Sequence, residues 1–147
     1  MRVAIVNAPS RVRVYGALTD LAAVEIPVWA GLIADYLTHH NHEVQVLDAE
    51  MEGWTVEQTA EQVRMANPDL AVFPVYGQQP SASTQCLPAA ERVVEMMSMD
   101  AEDRYATARI PTLCLGTHPS ALPERTLREG PWTYVAAGEG HRTIHVL

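Results

Sequence analysis

Five short apolar segments alternate with amphipathic segments along this chain, and this alternation restricts the fold more than any other feature. The apolar segments have the length and composition of buried strands. They are RVAIVN (2–7), EVQVLD (43–48), DLAVFPVY (69–76), IPTLCLG (110–116) and TYVAAG (133–138). Strands separated by helices form parallel sheets covered on both faces. Right-handed crossovers then favour a flavodoxin-like (Rossmann-like) doubly wound α/β fold with strand order 2-1-3-4-5.

The segments between the strands carry helix signals. Pro27 opens a helix, Asn41 stands where a left-handed cap is expected, and Thr55 with Gln58 predicts a capping box. Further helices are predicted up to Met97, over 123–129 and after the last strand, and Pro74 is expected near the end of its strand. The connections 8–26, 77–84 and 116–122 are predicted as loops. With 138–140 they follow strand ends, where doubly wound domains bind ligands.

Length and charge limit the possible partners. The 147 residues are expected to form one domain, 1–147. The formal net charge of −8 disfavours nucleic acid as a partner. No apolar run suits a membrane span, and the opening MRVAIVNAPS lacks the pattern of a signal peptide. The sequence therefore predicts a cytoplasmic protein without a membrane partner.

The chain lacks the residues that several other functions of this fold need. A phosphorylated receiver needs a lysine and carboxylates after two strands, but all ten basic residues are arginine and Asn7-Ala8 and Val75-Tyr76 stand at those positions. The absence of lysine also excludes a Schiff base with pyridoxal phosphate and a P-loop. No G-x-G-x-x-G follows the first strand, and APSRVRVYG (8–16) holds only one Ser or Thr for an FMN phosphate.

Four segments, in order, resemble the N-terminal cobalamin (B12)-binding domain of the B12-dependent radical SAM enzymes. They are EIPVWAGLIADYLTHHNHEVQVLDAE (25–50), NPDLAVFPVY (67–76), LGTHPSALPERTL (115–127) and YVAAGEGHRTI (134–144). The chain departs from the family pattern at Asn41 and Thr117, where the family has Gly, and at His141, where it has Glu. The resemblance covers essentially the whole chain and implies cobalamin, in the form of methylcobalamin, as the cofactor.

The resemblance also implies a set of cofactor-binding residues at the strand ends. Tyr76 and Gly77 would line the lower face of the ring, and Ser81, Ser83 and Thr84 would hydrogen-bond its nucleotide tail. The strand tips 116–119 and 138–140 would make room for that tail. The segment 8–26 would cover the remaining side. The implied set is Tyr76, Gly77, Gln78, Ser81, Ser83, Thr84, Gly116, Thr117, His118, Pro119, Gly138, Glu139 and Gly140. No catalytic residue and no metal ligand is assigned.

The family resemblance implies a partner as well. Radical SAM chemistry needs a C-x-x-x-C-x-x-C motif, and this chain has only Cys86 and Cys114. SAM and a 4Fe-4S cluster are therefore expected only in a radical SAM domain, in cis or in trans. The stop at Leu147 inside a predicted helix is expected of a domain excised from a larger methylase. Because the first connection lacks histidine, cobalt is expected to be base-off without an imidazole from that connection.

Other residues have simpler interpretations beside the functional ones. His39, His40 and His42 suggest a metal, but at a helix end they are expected to bond terminal carbonyls. His141 and His145 have a chelating spacing that also suits helix surface or an interdomain contact. Arg11 and Arg13 are expected to be either ligand contacts or exposed loop arginines. For His118 and Glu139 the alternatives are a ligand contact and a local structural role. Met96, Met97 and Met99 are expected to fill the core.

Two other functions remain open at this point. A degenerate domain on this fold would bind no cobalamin and would act as a protein-docking module. A flavin or nucleotide binder could also use the same strand ends.

Overall fold

The computed structural model describes residues 1–76, 80–99 and 110–147. These residues form a five-stranded, all-parallel sheet in the order β2-β1-β3-β4-β5. The strands are β1 (Arg2–Asn7), β2 (Glu43–Asp48), β3 (Leu70–Val75), β4 (Thr112–Gly116) and β5 (Tyr134–Ala136). The predicted fold class and strand order are confirmed.

Helices connect the strands and cover both faces of the sheet. They are α1 (Arg11–Tyr15), α2 (Val28–His39), α3 (Ala49–Glu52), α4 (Val56–Ala66), α5 (Pro80–Met99), α6 (Thr117–Ala121), α7 (Pro123–Glu129) and α8 (His141–Val146), with a 3-10 helix over Gly16–Leu21. Among the described helices, none is long and apolar enough to cross a bilayer.

Alternate residues of each strand pack against different helices, as the two-residue period of a strand requires. On one face, Val3 and Ile5 of β1 pack with α2 and α8, whose buried residues there are Ala30, Ile33, Leu37 and Ile144. On the other face, Ala4 and Val6 pack with α4 and α5, whose buried residues there are Ala60, Val63, Leu87, Ala90, Val93 and Val94. Each large aliphatic side chain buried in this way contributes about 1.5–3 kcal/mol.

Local signals predicted several boundaries correctly. The backbone N–H of Gln58 donates to Thr55 Oγ1 at 3.2 Å, and the Thr55 N–H donates to Gln58 Oε1 at 2.9 Å, which completes the capping box. Asn41 has φ +62°, the left-handed conformation expected of it. Pro74 is the penultimate residue of β3. These expectations are confirmed.

The three predicted loops were wrong in part, because each contains helix. In 8–26, α1 and the 3-10 helix replace most of the loop. Glu50 makes α1 possible, because its Oε1 accepts the otherwise unpaired N–H of Arg11 at 2.6 Å. In 77–84, α5 begins at Pro80, a residue suited to a first helical turn. In 116–122, α6 follows Gly116 directly.

A proline interrupts the hydrogen bonding of α5. Pro88 lies inside this helix and has no N–H, so the carbonyl of Thr84 lacks the usual partner four residues later. Val93 and Val94, which follow it, are fully buried in the core. The predicted core role of the methionines holds for Met96 and Met97, which pack on that core, but it was wrong for Met99, which is exposed.

Candidate functional site

A cavity of about 460 Å³ lies at the carboxyl ends of β1 and β3. This is the switch point of the strand order, because β1 lies between β2 on one side and β3 on the other. Its walls come from α1, the segment 23–30, the start of α2 and the first two turns of α5. Open α/β sheets bind their ligands in a crevice at this position.

Polar groups on the β1 side of the cavity bond mainly to one another. Asn7 Nδ2 donates to Asp48 Oδ1 at 2.7 Å, and Ser10 Oγ donates to Glu50 Oε1 at 3.3 Å. The Arg11 guanidinium donates to the carbonyl of Ala22 at 3.2 Å. Its Nε is buried and has no hydrogen-bond acceptor among the described residues, with Glu50 Oε2 3.9 Å away. The Arg11 guanidinium is therefore held between Ala22 and the Glu50 carboxylate, and its Nε makes no hydrogen bond among the described residues.

An aromatic pair forms the wall on the β3 side. Trp29 of α2 and Tyr76, directly after β3, stack with their ring centroids 4.5 Å apart and their planes 20° apart. Burial, and then the negative charge of Glu139, raises the pKa of the Tyr76 hydroxyl, so it remains a neutral donor. It donates to the carbonyl of Gly138 at 3.2 Å. Tyr76 thus separates the cavity from the tips of β4 and β5.

A thiol also lines the cavity. Cys86 of α5 is half-buried there, and burial is the main reason that its pKa is raised. Because the thiolate is the nucleophilic form, this thiol reacts slowly at neutral pH. Cys114 is a buried residue of β4, and burial raises its pKa strongly.

The tips of β3 and β4 are joined by a buried serine. Ser83 is fully buried; its hydroxyl donates to the carbonyl of Val75 and accepts the N–H of His118 at 3.1 Å. Next to it, Thr84 Oγ1 lies 2.9 Å from His118 Nδ1. These bonds fix the start of α5 against the start of α6.

Gly116 allows β4 to approach β3 at this point. It has φ +145°, and a Cβ added there would lie 2.1 Å from the carbonyl oxygen of Val75. No side chain fits in that space, because the obstructing atom belongs to the backbone. Gly116 is therefore required by the strand packing itself.

The tip of β5 is held by a second hydroxyl. Ser120 Oγ donates to the carbonyl of Gly116 at 2.5 Å and accepts the N–H of Gly138 at 2.8 Å. Beyond this tip, a depression of about 370 Å³ is lined by Ala137 and residues 139–143. A Cβ added at Gly138 would meet nothing within 4 Å, so this tip has open space in front of it.

The structure places most of the predicted site residues at this edge of the sheet, in three groups. Tyr76 lines the cavity, whereas Ser83, Thr84, Gly116, Thr117, His118, Pro119 and Gly138 lie in or beside the bonded tips, and Glu139 and Gly140 line the depression. Gly77, Gln78 and the side chain of Ser81 lie outside the described part of the chain. The role of every one of these residues in cofactor binding stays a prediction.

Sequence reasoning missed several residues that line the cavity. They are Asn7, Ser10, Trp29, Glu50, Gln85 and Cys86. A signal was present for Trp29, because a tryptophan in the exposed first turn of a helix beside a strand end is unusual. No local signal marks Glu50, whose contacts with Ser10 and Arg11 join residues about 40 positions apart.

A flavodoxin-like sheet with a cavity at its switch point defines the class: a small-molecule-binding, doubly wound domain. A model of the B12 binding domain family matches residues 16–147. The chain therefore belongs to the B12-binding domain family. The cobalamin-binding part of the resemblance is confirmed, and membership points to cobalamin as the ligand. No curated protein matches the chain.

Proposed function

We propose that this chain holds base-off methylcobalamin for methyl transfer, as the cobalamin-binding domain of, or a carrier for, a B12-dependent radical SAM methylase. The family match over residues 16–147, on a fold with a cavity at the switch point, carries the cobalamin part of the proposal. The radical SAM part rests on the four segments that resemble that enzyme family.

The residues of the cavity suit a corrin ring. Such a ring is large, flat and mostly apolar, with amide arms at its edge. The stacked Trp29 and Tyr76 offer an apolar wall, and the Arg11 guanidinium, which lines the cavity beside Glu50, offers a donor to an amide oxygen. Asn7 and Gln85 add further amide partners. In this proposal these residues seat the edge of the ring, and the segment 8–26 covers it.

The tips of β4 and β5 suit the nucleotide tail if the hydrogen bond between Tyr76 and Gly138 is broken. Open space in front of Gly138 and the depression beside Glu139 and Gly140 provide room. The bond from Tyr76 to Gly138 lies between that space and the cavity. Entry of the tail is therefore proposed to break this bond. The proton of Ser83 is committed to Val75, so Ser83 contacts the tail only if that network also rearranges.

The lining of the cavity indicates whether the protein could supply an imidazole to cobalt. Among the described residues that line it, none is a histidine. When bound, methylcobalamin supplies the methyl group that a methylase transfers. The protein would orient the cofactor through Arg11, Trp29 and Tyr76, without an imidazole from the first connection. We expect the Co(II) form to give an EPR spectrum without nitrogen splitting, and histidine-type splitting would contradict this assignment.

Binding itself is the first test. Purified protein is mixed with hydroxocobalamin and, separately, with FMN, and each mixture is passed over a gel-filtration column. A red protein fraction is expected with hydroxocobalamin and no yellow fraction with FMN. A folded but colourless fraction in both cases would support a docking module, and a yellow fraction would support a flavin binder.

A matched pair of variants locates the ligand. Ala82→Trp places a large side chain in the cavity, whereas Met65→Trp places the same side chain on an exposed position of α4. Affinity for hydroxocobalamin should fall at least about tenfold in Ala82→Trp, or about 1.4 kcal/mol, and should not change in Met65→Trp. Equal affinities would place the ligand elsewhere.

The partner domain is tested by a reaction that the chain alone should not perform. With two isolated cysteines, the chain cannot supply the three-cysteine motif of a radical SAM cluster. Reconstitution with iron and sulfide, followed by reductant and SAM, is expected to yield no 5′-deoxyadenosine. Formation of that product would show that no partner domain is needed.

A further inference from the structure

Four histidines and a tyrosine meet where α8 packs against the end of α2. His40 stacks on Tyr36 with 4.1 Å between centroids, and His145 of α8 lies 4.6 Å from His40. His141 contacts the edge of Tyr36 at 4.6 Å. The remaining histidine, His42, has its Nε2 3.0 Å from Nδ1 of His145. Among the described residues, no group of three or more potential ligands is arranged to hold a metal ion.

This arrangement differs from the sequence prediction at one residue. His39 Nδ1 and His40 Nδ1 bond the carbonyls of Asp35 and Tyr36 at 2.8 and 2.7 Å, so the predicted bonding of terminal carbonyls is confirmed for them. His42 instead bonds across to His145, which the sequence analysis left as helix surface or an interdomain contact. The contact lies within this domain.

The hydrogen bond between His42 and His145 needs one proton, and no more than one, between the two facing nitrogens. One nitrogen must donate and the other accept, so a second proton on either facing nitrogen removes the bond and places two N–H groups against each other. His42 Nδ1 is buried and has no hydrogen-bond partner among the described residues. A proton added there would be a buried, unpaired donor, which is unfavourable. Neutral His42 with its proton on Nε2 fits the site best.

From this geometry we infer that the His42–His145 pair is an acid-sensitive latch, which holds α8 on the domain when both rings are neutral and releases it on protonation. The latch does not depend on cofactor binding. Its consequence for a ligand does rest on the proposed function. Because α8 begins directly after Glu139 and Gly140, release of α8 would weaken that half of the site.

The surrounding charges favour the neutral pair. Desolvation, the amino group of Met1, His145 and His40 all lower the pKa of His42 below the ordinary 6.5. Stability from the neutral ring is thus complete above about pH 6.5 and is lost as the pH falls below that value. Two further charged residues lie near the pair in sequence: Glu43 follows His42, and Arg142 lies on α8 with His145.

One neighbouring ion pair acts in the opposite direction. Protonated His141 would gain attraction to Glu139, whose Oε2 is 3.6 Å from its Nδ1. Glu139 is two-thirds exposed, and a solvent-exposed pair of this kind contributes little. The buried nitrogen of His42 therefore dominates the response to acid.

Ile144 provides a direct measure of α8 docking. Its side chain is fully buried against the core, and its N–H donates to the carbonyl of Gly140 at 2.9 Å. Val63 of α4, also fully buried, lies in a different core cluster and serves as the internal reference. The experiment measures amide hydrogen exchange of both residues in the ligand-free protein at about pH 7.5 and 5.5, corrected for intrinsic exchange rates.

In the wild type, protection of Ile144 relative to Val63 is expected to fall about tenfold or more at the lower pH. In the double variant His42→Gln/His145→Gln, whose amides bond without titrating, the ratio should be independent of pH. His39→Ala, which removes an exposed histidine of the same helix end, should behave as the wild type. A constant ratio in the wild type, or an unchanged pH dependence in the double variant, would overturn the inference.

Discussion

The β1–β3 half of the strand edge and the β4–β5 half use their polar groups differently. In the first half, the strand ends border a cavity of about 460 Å³, and Arg11 keeps a buried donor without an acceptor among the described residues. In the second half, the hydroxyls of Ser83 and Ser120 bond backbone groups of neighbouring tips, and the Tyr76 hydroxyl of the first half donates to Gly138.

Because of this difference, we expect the first half to serve ligand binding and the second half to serve stability. A preformed cavity can accept a ligand with little rearrangement. Tips that are bonded to one another hold the edge in register, and they can accept a ligand only by exchanging contacts. We therefore expect substitutions in the second half to change stability first, and substitutions in the first half to change binding first.

The largest expected effect is that of Gly116→Ala. The new Cβ would lie 2.1 Å from a backbone oxygen, at φ +145°, so the packing of β4 on β3 must shift. The free energy of unfolding should fall by about 3 kcal/mol or more, as measured by urea denaturation. Gly138→Ala, which meets no atom within 4 Å, should lose only the strain of its φ of +82°, about 1–2 kcal/mol. Equal losses would show that the close approach does not matter.

Ser83→Ala should have the next largest effect. It leaves the Val75 carbonyl and the His118 N–H without their buried partner, which should reduce the free energy of unfolding by about 2 kcal/mol. The control is Thr38→Ala, which removes an exposed hydroxyl that also bonds a carbonyl, that of Ala34, at 2.8 Å. That control should stay near the wild-type stability, and a similar loss in both would contradict the role given to Ser83.

Alkylation of Cys86 reports on the cavity itself. Because its pKa is raised above the ordinary 9.0, iodoacetamide should react more slowly at pH 8 than with a free thiol, and its rate should still rise above pH 9. Bound methylcobalamin should slow the reaction by about tenfold, as followed by mass spectrometry. Cys114, which is fully buried, should react only after unfolding. An unchanged rate with saturating methylcobalamin would show that the ligand does not cover this half.

The smallest effect on stability is expected from Tyr76→Phe. The variant keeps the stack on Trp29 but loses the bond to Gly138, so the free energy of unfolding should change by about 1 kcal/mol or less. If that bond closes the route between the halves, hydroxocobalamin should associate faster with the variant in stopped-flow measurements. Slower association would mean that the hydroxyl helps to bind the ligand.

The sequence predicted what depends on local pattern. Strand apolarity and right-handed crossovers were sufficient for the order of β1 to β5, and the Thr55 capping box fixed the start of α4. The convergence of Ser83, Gly116 and Gly138 on one edge followed from parallel topology alone. These inferences needed no knowledge of contacts between distant residues.

What the sequence could not predict depends on such contacts. α1 needs the carboxylate of Glu50, about 40 residues away, and the cavity wall needs Trp29 to stack on Tyr76. Likewise, nothing local shows that the hydroxyl of Ser83 is committed to Val75, or that His42 meets His145. Partner choice among polar groups is decided by tertiary packing, which a short sequence window does not contain.

The proline in α5 has a mechanical consequence. It falls between the turns that carry Ala82, Thr84 and Cys86 and the turns that Val93 and Val94 anchor in the core. Because one backbone hydrogen bond is already missing at Pro88, bending there breaks fewer hydrogen bonds than bending elsewhere in the helix. If the bonds of Ser83 to Val75 and His118 were exchanged on ligand binding, the front of α5 would bend at Pro88 while its rear remained a fixed support for the sheet.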